Sequence, residues 1–501
     1  METKTFKFLL GILLVIIFFS TYFNHSSGSW SGDADGYFLG SYYLNQGKIS
    51  NINSTLVNHF KKLDYSSSEL TFLIPNRYSL SFKDNFLFRY PPGISYYISF
   101  FKVIYEDMFG YNFIVCVLSI INILLFYLLL SLLFKETKDN IAICFLITFA
   151  FGLSSLYLKY SMAQPMREIP VMFLNSLILL FYIKFRKNPD KNSNYLIFSI
   201  SLSAISLYIR YTNIFIFIIF LPLLKDLFIG FKIKKTILKK YLSYILLIII
   251  IIFPLLLLNY QNTSNFFKPQ SYDHLNSIKI KNMYENNSRY KNLEGSFFVY
   301  IRPFLKLKYF LFVFFGIFYL FKNKYLHILL YPIFTLILFS MWPNPYDRYI
   351  LPIIPFLYML LASGAVYILT VKKLNSNIKI IFIIFFILLL LPNALILLKN
   401  NFLLKNNYYK SLNEVEYNSI KSLNDYEGIL ILGNSLSQMQ GFIQFSNPKF
   451  KVILKPKKKE ILEELKKINS KLYLLENHKT DYEFLQILGI KFKNYYLYKI
   501  N

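Results

Sequence analysis

The chain has 501 residues, 55% of them hydrophobic, with a formal net charge of +28 and a mean hydropathy of +0.40. Many apolar runs reach or approach the roughly 20 residues needed to cross about 30 Å of hydrocarbon, which excludes an ordinary soluble protein. The cations collect in short stretches between those runs instead of on a basic face interleaved with aromatics, which excludes nucleic acid as the partner. Residues 6–23 follow Lys4, lack a small-residue cleavage site and read as an uncleaved first helix with the N-terminus inside. An outer loop, 24–108, comes next: a polar, aromatic stretch to about residue 90, then an amphipathic segment at 93–105.

Further spans are expected at 109–134, 141–158, 168–185, 194–209, 211–229, 241–259, 306–321, 325–342, 350–371 and 380–398. The basic stretches 184–191, 232–240, 322–324 and 372–379 all fall on one side under a single assignment, and Lys and Arg collect on the cytoplasmic side. The chain therefore reads as a polytopic α-helical membrane protein of about eleven transmembrane helices with a cytoplasmic N-terminus. A long outer loop, 260–302, and an outer C-terminus follow from the same assignment.

From about residue 400 the composition turns soluble. Short strands are expected at 429–432, 451–454, 472–475 and 495–498, and an amphipathic helix at 457–469 carries Ile461, Leu462, Leu465 and Ile468 on one face. The expected division is a transmembrane domain over 1–399 and a small extracytoplasmic α/β domain over 400–501. Cys116 and Cys144 both lie in apolar spans, so neither a disulfide framework nor a metal-binding cysteine spacing exists. The five histidines, His25, His59, His274, His327 and His478, are scattered; Asp and Glu alone could still hold a divalent ion, and no other cofactor follows. The Ile-, Lys-, Asn-, Phe- and Tyr-rich composition points to an A/T-rich, bacterial genome.

Chemistry is expected where polar groups meet the ends of spans. Gly32-Asp33-Ala34-Asp35-Gly36-Tyr37 opens the first outer loop, and in a helix Asp33 and Tyr37 lie one turn apart on one face. Asp33 there serves either as a helix N-cap or as a general base taking a proton from an acceptor hydroxyl. Arg89-Tyr90-Pro91-Pro92-Gly93 reads as a turn into a surface helix. Arg167 and Glu168 in Gln164-Pro165-Met166-Arg167-Glu168-Ile169-Pro170 either pair with each other or flank a polar substrate. Arg210, and Arg348 beside Tyr349, are outer-side cations suited to an anionic head group by charge-assisted hydrogen bonds, or to interfacial snorkelling. All these features fall on one side of the membrane under a topology drawn from inner-loop charge alone.

In that order, the Asp-bearing loop, Tyr90–Gly93, Glu168-Ile169-Pro170 and the Arg348-Tyr349-Ile350-Leu351-Pro352-Ile353-Ile354-Pro355 element resemble the polyprenyl-phosphate-dependent glycosyltransferases of the GT-C fold, the superfamily of protein O-mannosyltransferases and aminoarabinose transferases. The resemblance spans about residues 7–400 and departs at two points: many members have an acidic Asp-Glu pair where this chain has Asp33-Ala34-Asp35, and the stretch between Ser50 and Asn85 is long and unassigned. It implies sugar transfer from a polyprenyl-phosphate donor to a glycolipid, glycan or protein acceptor at the outer face of the cytoplasmic membrane, in cell-envelope or lipopolysaccharide assembly. It also implies Asp33 or Asp35 as the catalytic base, and Tyr37, Arg89, Tyr90, Arg167, Glu168, Arg210, Arg348 and Tyr349 as substrate-binding groups. The alternatives are a polytopic transporter, a flippase or a polymerase of lipid-linked glycans. A transporter predicts mid-membrane ionisable residues and repeated halves, and neither is evident.

Overall fold

A computed structural model describes residues 5, 8–15, 32–46, 52–53, 55–65, 69–73, 78–80, 85–88, 90–104, 108–134, 137–161, 166–189, 191–223, 235–267, 307–340, 347–371, 377–378, 381, 384, 423, 426–433, 440–456, 458–468, 471–476, 485–492 and 495–500. The span expected at 380–398, most of the loop at 260–302 and the centre of the basic loop at 372–379 lie outside the described residues. So do much of the first span and the Arg89 side chain.

After helical residues 8–15, α1 (Gly32–Asn45) begins the first loop. A three-stranded antiparallel sheet of β1 (Ile52–Asn53), β2 (Tyr78–Leu80) and β3 (Asn85–Phe88), in the order β1-β3-β2, fills the stretch that carried no sequence signal, together with α2 (Thr55–Lys62). The membrane part comprises α3 (Gly93–Ile104), α4 (Met108–Leu133), α5 (Lys138–Gly152), α6 (Ser155–Ser161), α7 (Glu168–Lys187) and α8 (Ser193–Ser206). A 3₁₀ segment (Tyr211–Phe220), α9 (Lys235–Thr263), α10 (Leu307–Lys322), α11 (Leu330–Ser340), a second 3₁₀ segment (Asp347–Ile353) and α12 (Ile354–Val371) complete it. Among the described residues, three stretches are long and apolar enough to cross a bilayer by themselves: Glu168–Lys187, Leu242–Gln261 and Arg348–Thr370. Shorter apolar helices accompany them, among them Val117–Leu133 and Leu311–Lys322.

Several expected spans are not single α-helices. The span at 141–158 breaks after Gly152, where the N–H of Leu153 closes onto Phe149 and Phe151 and α6 restarts at Ser155. The span at 211–229 begins as 3₁₀ helix, and its buried residues Asn213, Ile216 and Ile219 recur every third position, the period of that helix. The last described span enters through 3₁₀ backbone because Pro352 and Pro355 cannot donate to the preceding turn.

Backbone contact at glycines fixes one pair of helices. A Cβ on Gly316 of α10 would stand 2.1 Å from the Leu360 carbonyl oxygen of α12, and one on Gly364 of α12 only 1.9 Å from that of Phe312. Small residues permit such close approach where no hydrophobic effect drives helices together. By contrast, only 17% of the apolar stretch of α9 is buried. Tyr208 Oη donates to the Ile251 carbonyl at 2.6 Å and Tyr211 Oη to Asn259 Oδ1 at 3.3 Å, near Pro254, which interrupts the hydrogen-bond ladder of α9.

The C-terminal part holds β4 (Gly428–Leu432), α13 (Gln440–Ser446), β5 (Phe450–Leu454), α14 (Lys459–Ile468), β6 (Leu472–Glu476), β7 (Leu485–Phe492) and β8 (Tyr495–Ile500). The sheet order is β5-β4-β6-β8-β7, with β4 parallel to β5 and β6, and β8 antiparallel to β6 and β7. Ile429–Leu432 are all buried, as expected of a central parallel strand covered on both faces. β7 and α13 had no counterpart in the sequence reading; the register of β7 against β8 shifts between Ile487 and Lys491, which blurs its alternation. This layer rests on the first loop. α13 packs on α1, Tyr42 Oη donates to the Pro448 carbonyl at 3.4 Å, and Lys458 Nζ pairs with Glu69 Oε1 at 2.5 Å.

Candidate active site

The site is assembled from the ends of helices. Asp33 and Asp35 belong to the first turn of α1, inside the helix instead of at its cap, where carboxylates remain favoured by the helix dipole; their side chains lie outside the described residues. One turn along the face from Asp33, Tyr37 is 1% exposed. Ser95 Oγ of α3 donates to the Tyr37 carbonyl at 3.1 Å, and the Tyr37 ring lies 5.9 Å from that of Tyr90. The Tyr90–Gly93 turn thus joins α1 to α3.

Gly93 anchors the same turn to the next wall. Its N–H donates to the Tyr208 carbonyl at 2.6 Å, and a Cβ would stand 2.4 Å from that oxygen. Tyr208 lies two residues before Arg210, so the Pro-Pro-Gly turn and the arginine share one backbone contact. Gly93→Ala is expected to destabilise the protein by about 1–3 kcal/mol through forced separation of backbones. A lowered melting temperature in detergent checks this, and an unchanged one means that the contact yields without cost.

The start of α7 presents Met166, Arg167 and Glu168. Pro170 is tolerated because a first-turn N–H has no intrahelical partner, and Asn122 of α4 donates to the Ile169 carbonyl at 3.4 Å. The Arg167 guanidinium lies over the Tyr90 ring at 4.8 Å, and its Nε is 3.9 Å from Glu168 Oε1. Glu168 is 1% exposed, and its Oε2 has no hydrogen-bond partner among the described residues. A buried carboxylate oxygen without a donor is costly and marks a group held for something other than stability.

Arg210 faces it from the N-cap of the 3₁₀ segment that follows α8. It is 4% exposed, with its guanidinium 4.7 Å from the Phe339 ring centroid and 5.6 Å from that of Tyr349. Those two rings stack on each other at 4.9 Å and 19°. The cation is retained by aromatic faces, and the Glu168 and Arg167 charges both act on it. Arg348 lies 5.5 Å from the Tyr349 ring, and its Nη1 reaches Met166 Sδ at 3.3 Å, which closes the circuit back to α7.

Tyr37, Tyr90, Arg167, Glu168, Arg210, Arg348 and Tyr349, from segments far apart in sequence, therefore form one continuous cluster. The sequence reading missed Phe339 and Met166, which lie inside or beside apolar runs and carry no polar signal. It also treated Arg210 and Arg348 as candidates for interfacial snorkelling; burial and ring contacts place Arg210 within the protein. Among the described residues, no three His, Cys, Asp or Glu side chains converge as a metal-ion cluster.

Helices of this order, with charged groups gathered at their ends and an α/β layer seated on the first loop, make the GT-C fold. Solved structures with this arrangement include an oligosaccharyltransferase from Archaeoglobus fulgidus in complex with Zn and sulfate, 13% identical, covering 93% of this chain and 67% of its own, with a TM-score of 0.56. ArnT from Cupriavidus metallidurans in the apo state is 12% identical, covers 99% of this chain and 98% of its own, and has a TM-score of 0.54. The same ArnT bound to undecaprenyl phosphate is 12% identical and covers 100% and 98%, with a TM-score of 0.53. No family model and no curated protein matches the sequence.

Proposed function

We propose that the protein is a glycosyltransferase that moves a sugar from a polyprenyl-phosphate donor to an acceptor at the outer face of the cytoplasmic membrane, in the assembly of a cell-envelope glycan or glycolipid. The observation that carries this reading is Arg210: a buried cation braced by Phe339 and Tyr349, opposite a buried carboxylate, in a membrane enzyme fold. A lipid phosphate is the ligand class that matches such a cation at the end of a membrane helix. That one neighbour of the same fold binds undecaprenyl phosphate supports the same class.

The reaction is a single displacement. The acceptor oxygen or nitrogen attacks the anomeric carbon, the bond from that carbon to the phosphate oxygen breaks, and polyprenyl phosphate leaves with the electron pair. Asp33 or Asp35 takes the proton of the acceptor. Arg210, with Arg348 and Arg167 alongside, balances the negative charge that grows on the leaving phosphate. Glu168 holds Arg167, and its free oxygen accepts a hydroxyl of the sugar. The α/β layer over 428–500 covers α1 and confines the approach of the acceptor.

The test is transfer by the purified chain in lipid nanodiscs, supplied with a radiolabelled pool of polyprenyl-phosphate sugars and with glycolipid, glycan and protein acceptors. Label in an acceptor with release of polyprenyl phosphate supports the reading. Label that crosses the bilayer of a sealed vesicle, still on its lipid, overturns it in favour of a flippase.

A further inference from the structure

Beneath the arginines lies a closed polar network inside apolar helices. Asn213 Nδ2 donates to Asn175 Oδ1 at 2.9 Å and to Ser206 Oγ at 2.6 Å, while its Oδ1 accepts from the Tyr331 hydroxyl at 2.6 Å. Asn175 Nδ2 donates to that same hydroxyl at 2.8 Å and to the Pro352 carbonyl at 3.4 Å. Ser206 Oγ donates to the Ser203 carbonyl at 2.7 Å. Asn175, Ser206, Asn213 and Tyr331 are all buried, and both amides use their full donor capacity.

The network repeats the site one or two turns deeper. Asn175 follows Glu168 by seven residues on α7, which keeps both on one face. Asn213 follows Arg210 by three in the 3₁₀ segment, where positions three apart superpose, and its N–H donates to the Arg210 carbonyl at 3.0 Å. Tyr331 lies eight residues before Phe339 on α11, and Pro352 three after Tyr349. Every element that carries Glu168, Arg210 or the two rings around Arg210 therefore also supplies a network member. Hydrogen bonds between membrane helices add little stability on average, so the value of such a network is direction. A fully satisfied set of amides and a hydroxyl fixes one register, whereas apolar contacts leave helices free to slide or rotate.

We propose that Asn213, with Asn175 and Tyr331, is a positioning residue that sets the depth of the Arg210 guanidinium against Phe339 and Tyr349, and thereby the hold on the lipid phosphate. The inference rests on the reading of Arg210 as a phosphate-binding group. A displacement of about 1 Å in such a group is enough to change rates roughly 10²-fold.

The experiment is a double-mutant cycle on the full chain in detergent, with undecaprenyl phosphate as the probe and native mass spectrometry as the readout. Asn213→Leu removes the amide at similar volume, and Arg210→Gln removes the cation. Asn213→Leu is expected to weaken binding about tenfold alone and to add nothing in the Arg210→Gln background. Equal losses in both backgrounds mean a merely structural role and overturn the proposal, as does undiminished binding by Asn213→Leu. If Arg210→Gln alone binds as tightly as the unaltered chain, the phosphate reading itself fails and takes the positioning role with it. Tyr331→Phe, which deletes one donor and keeps the ring, runs the same cycle should Asn213→Leu not fold. It is expected to weaken binding about threefold, again only where Arg210 is present.

Discussion

Asp33→Asn is expected to lower sugar transfer about 10²- to 10⁴-fold without loss of membrane insertion, the contribution of a general base. The expectation follows from helix geometry. Asp33 and Tyr37 stand four residues apart in α1, and Tyr37 is the member of that helix whose ring meets Tyr90 and, through it, Arg167. Asp35 stands two positions from each in sequence, out of step with the four-residue spacing that pairs Asp33 with Tyr37. Asp35→Asn is accordingly expected to retain transfer to within a few-fold. Initial rates in membranes with tag-verified insertion decide between them. A large loss in Asp35→Asn alone reverses the assignment, and full activity in both variants removes the proposed base from the mechanism.

Arg210→Gln is expected to cost about 10²- to 10³-fold in kcat, the loss seen when one preorganised donor to a developing anion is removed. Arg167 and Arg348 make up only part of the loss, because Arg167 is also engaged with Glu168 and Tyr90, and Arg348 with Met166 and Tyr349. Arg210→Lys is expected to recover little. The Arg210 guanidinium carbon lies 4.7 Å from the Phe339 ring centroid and 5.6 Å from that of Tyr349, and an ammonium offers neither the planar delocalised charge nor the forked donors. The donor KM separates the contributions: a rise in KM with kcat unchanged means that Arg210 binds ground state and transition state alike, contrary to the proposed role.

Much of this site was legible in the sequence because its charged residues are rare in their surroundings and sit at the ends of apolar runs. Arg167, Glu168, Arg210 and Arg348 each stand out on that ground, and the Pro-Pro-Gly stretch reads as a turn into a helix, although its close approach to Tyr208 does not show in the sequence. What lay deeper was not legible. Asn175, Asn213 and Tyr331 are single polar residues inside spans, and hydropathy averages them away. Whether a ten-residue apolar stretch such as Tyr211–Phe220 turns every 3.0 or every 3.6 residues is undecided by a pattern that is apolar on all sides. The role of Phe339 depends on which helix lies opposite, a fact of tertiary packing with no local signature. Likewise β7 carries a register irregularity that breaks the alternation by which the other strands were found.

The glycine contact between α10 and α12 has a bearing on how a long isoprenoid could reach Arg210. Two helices whose backbones touch at Gly316 and Gly364 leave no slot for a hydrocarbon chain and cannot part without losing their whole interface. They form the closed side of the bundle. The opposite condition holds at α9, whose apolar stretch is mostly bare, which is broken by Pro254 and which is tethered by the hydroxyls of Tyr208 and Tyr211 on either side of Arg210. If the donor is the polyprenyl phosphate proposed above, the exposed α9, tied by Tyr208 and Tyr211 to the segment that carries Arg210, is the side along which its tail would approach.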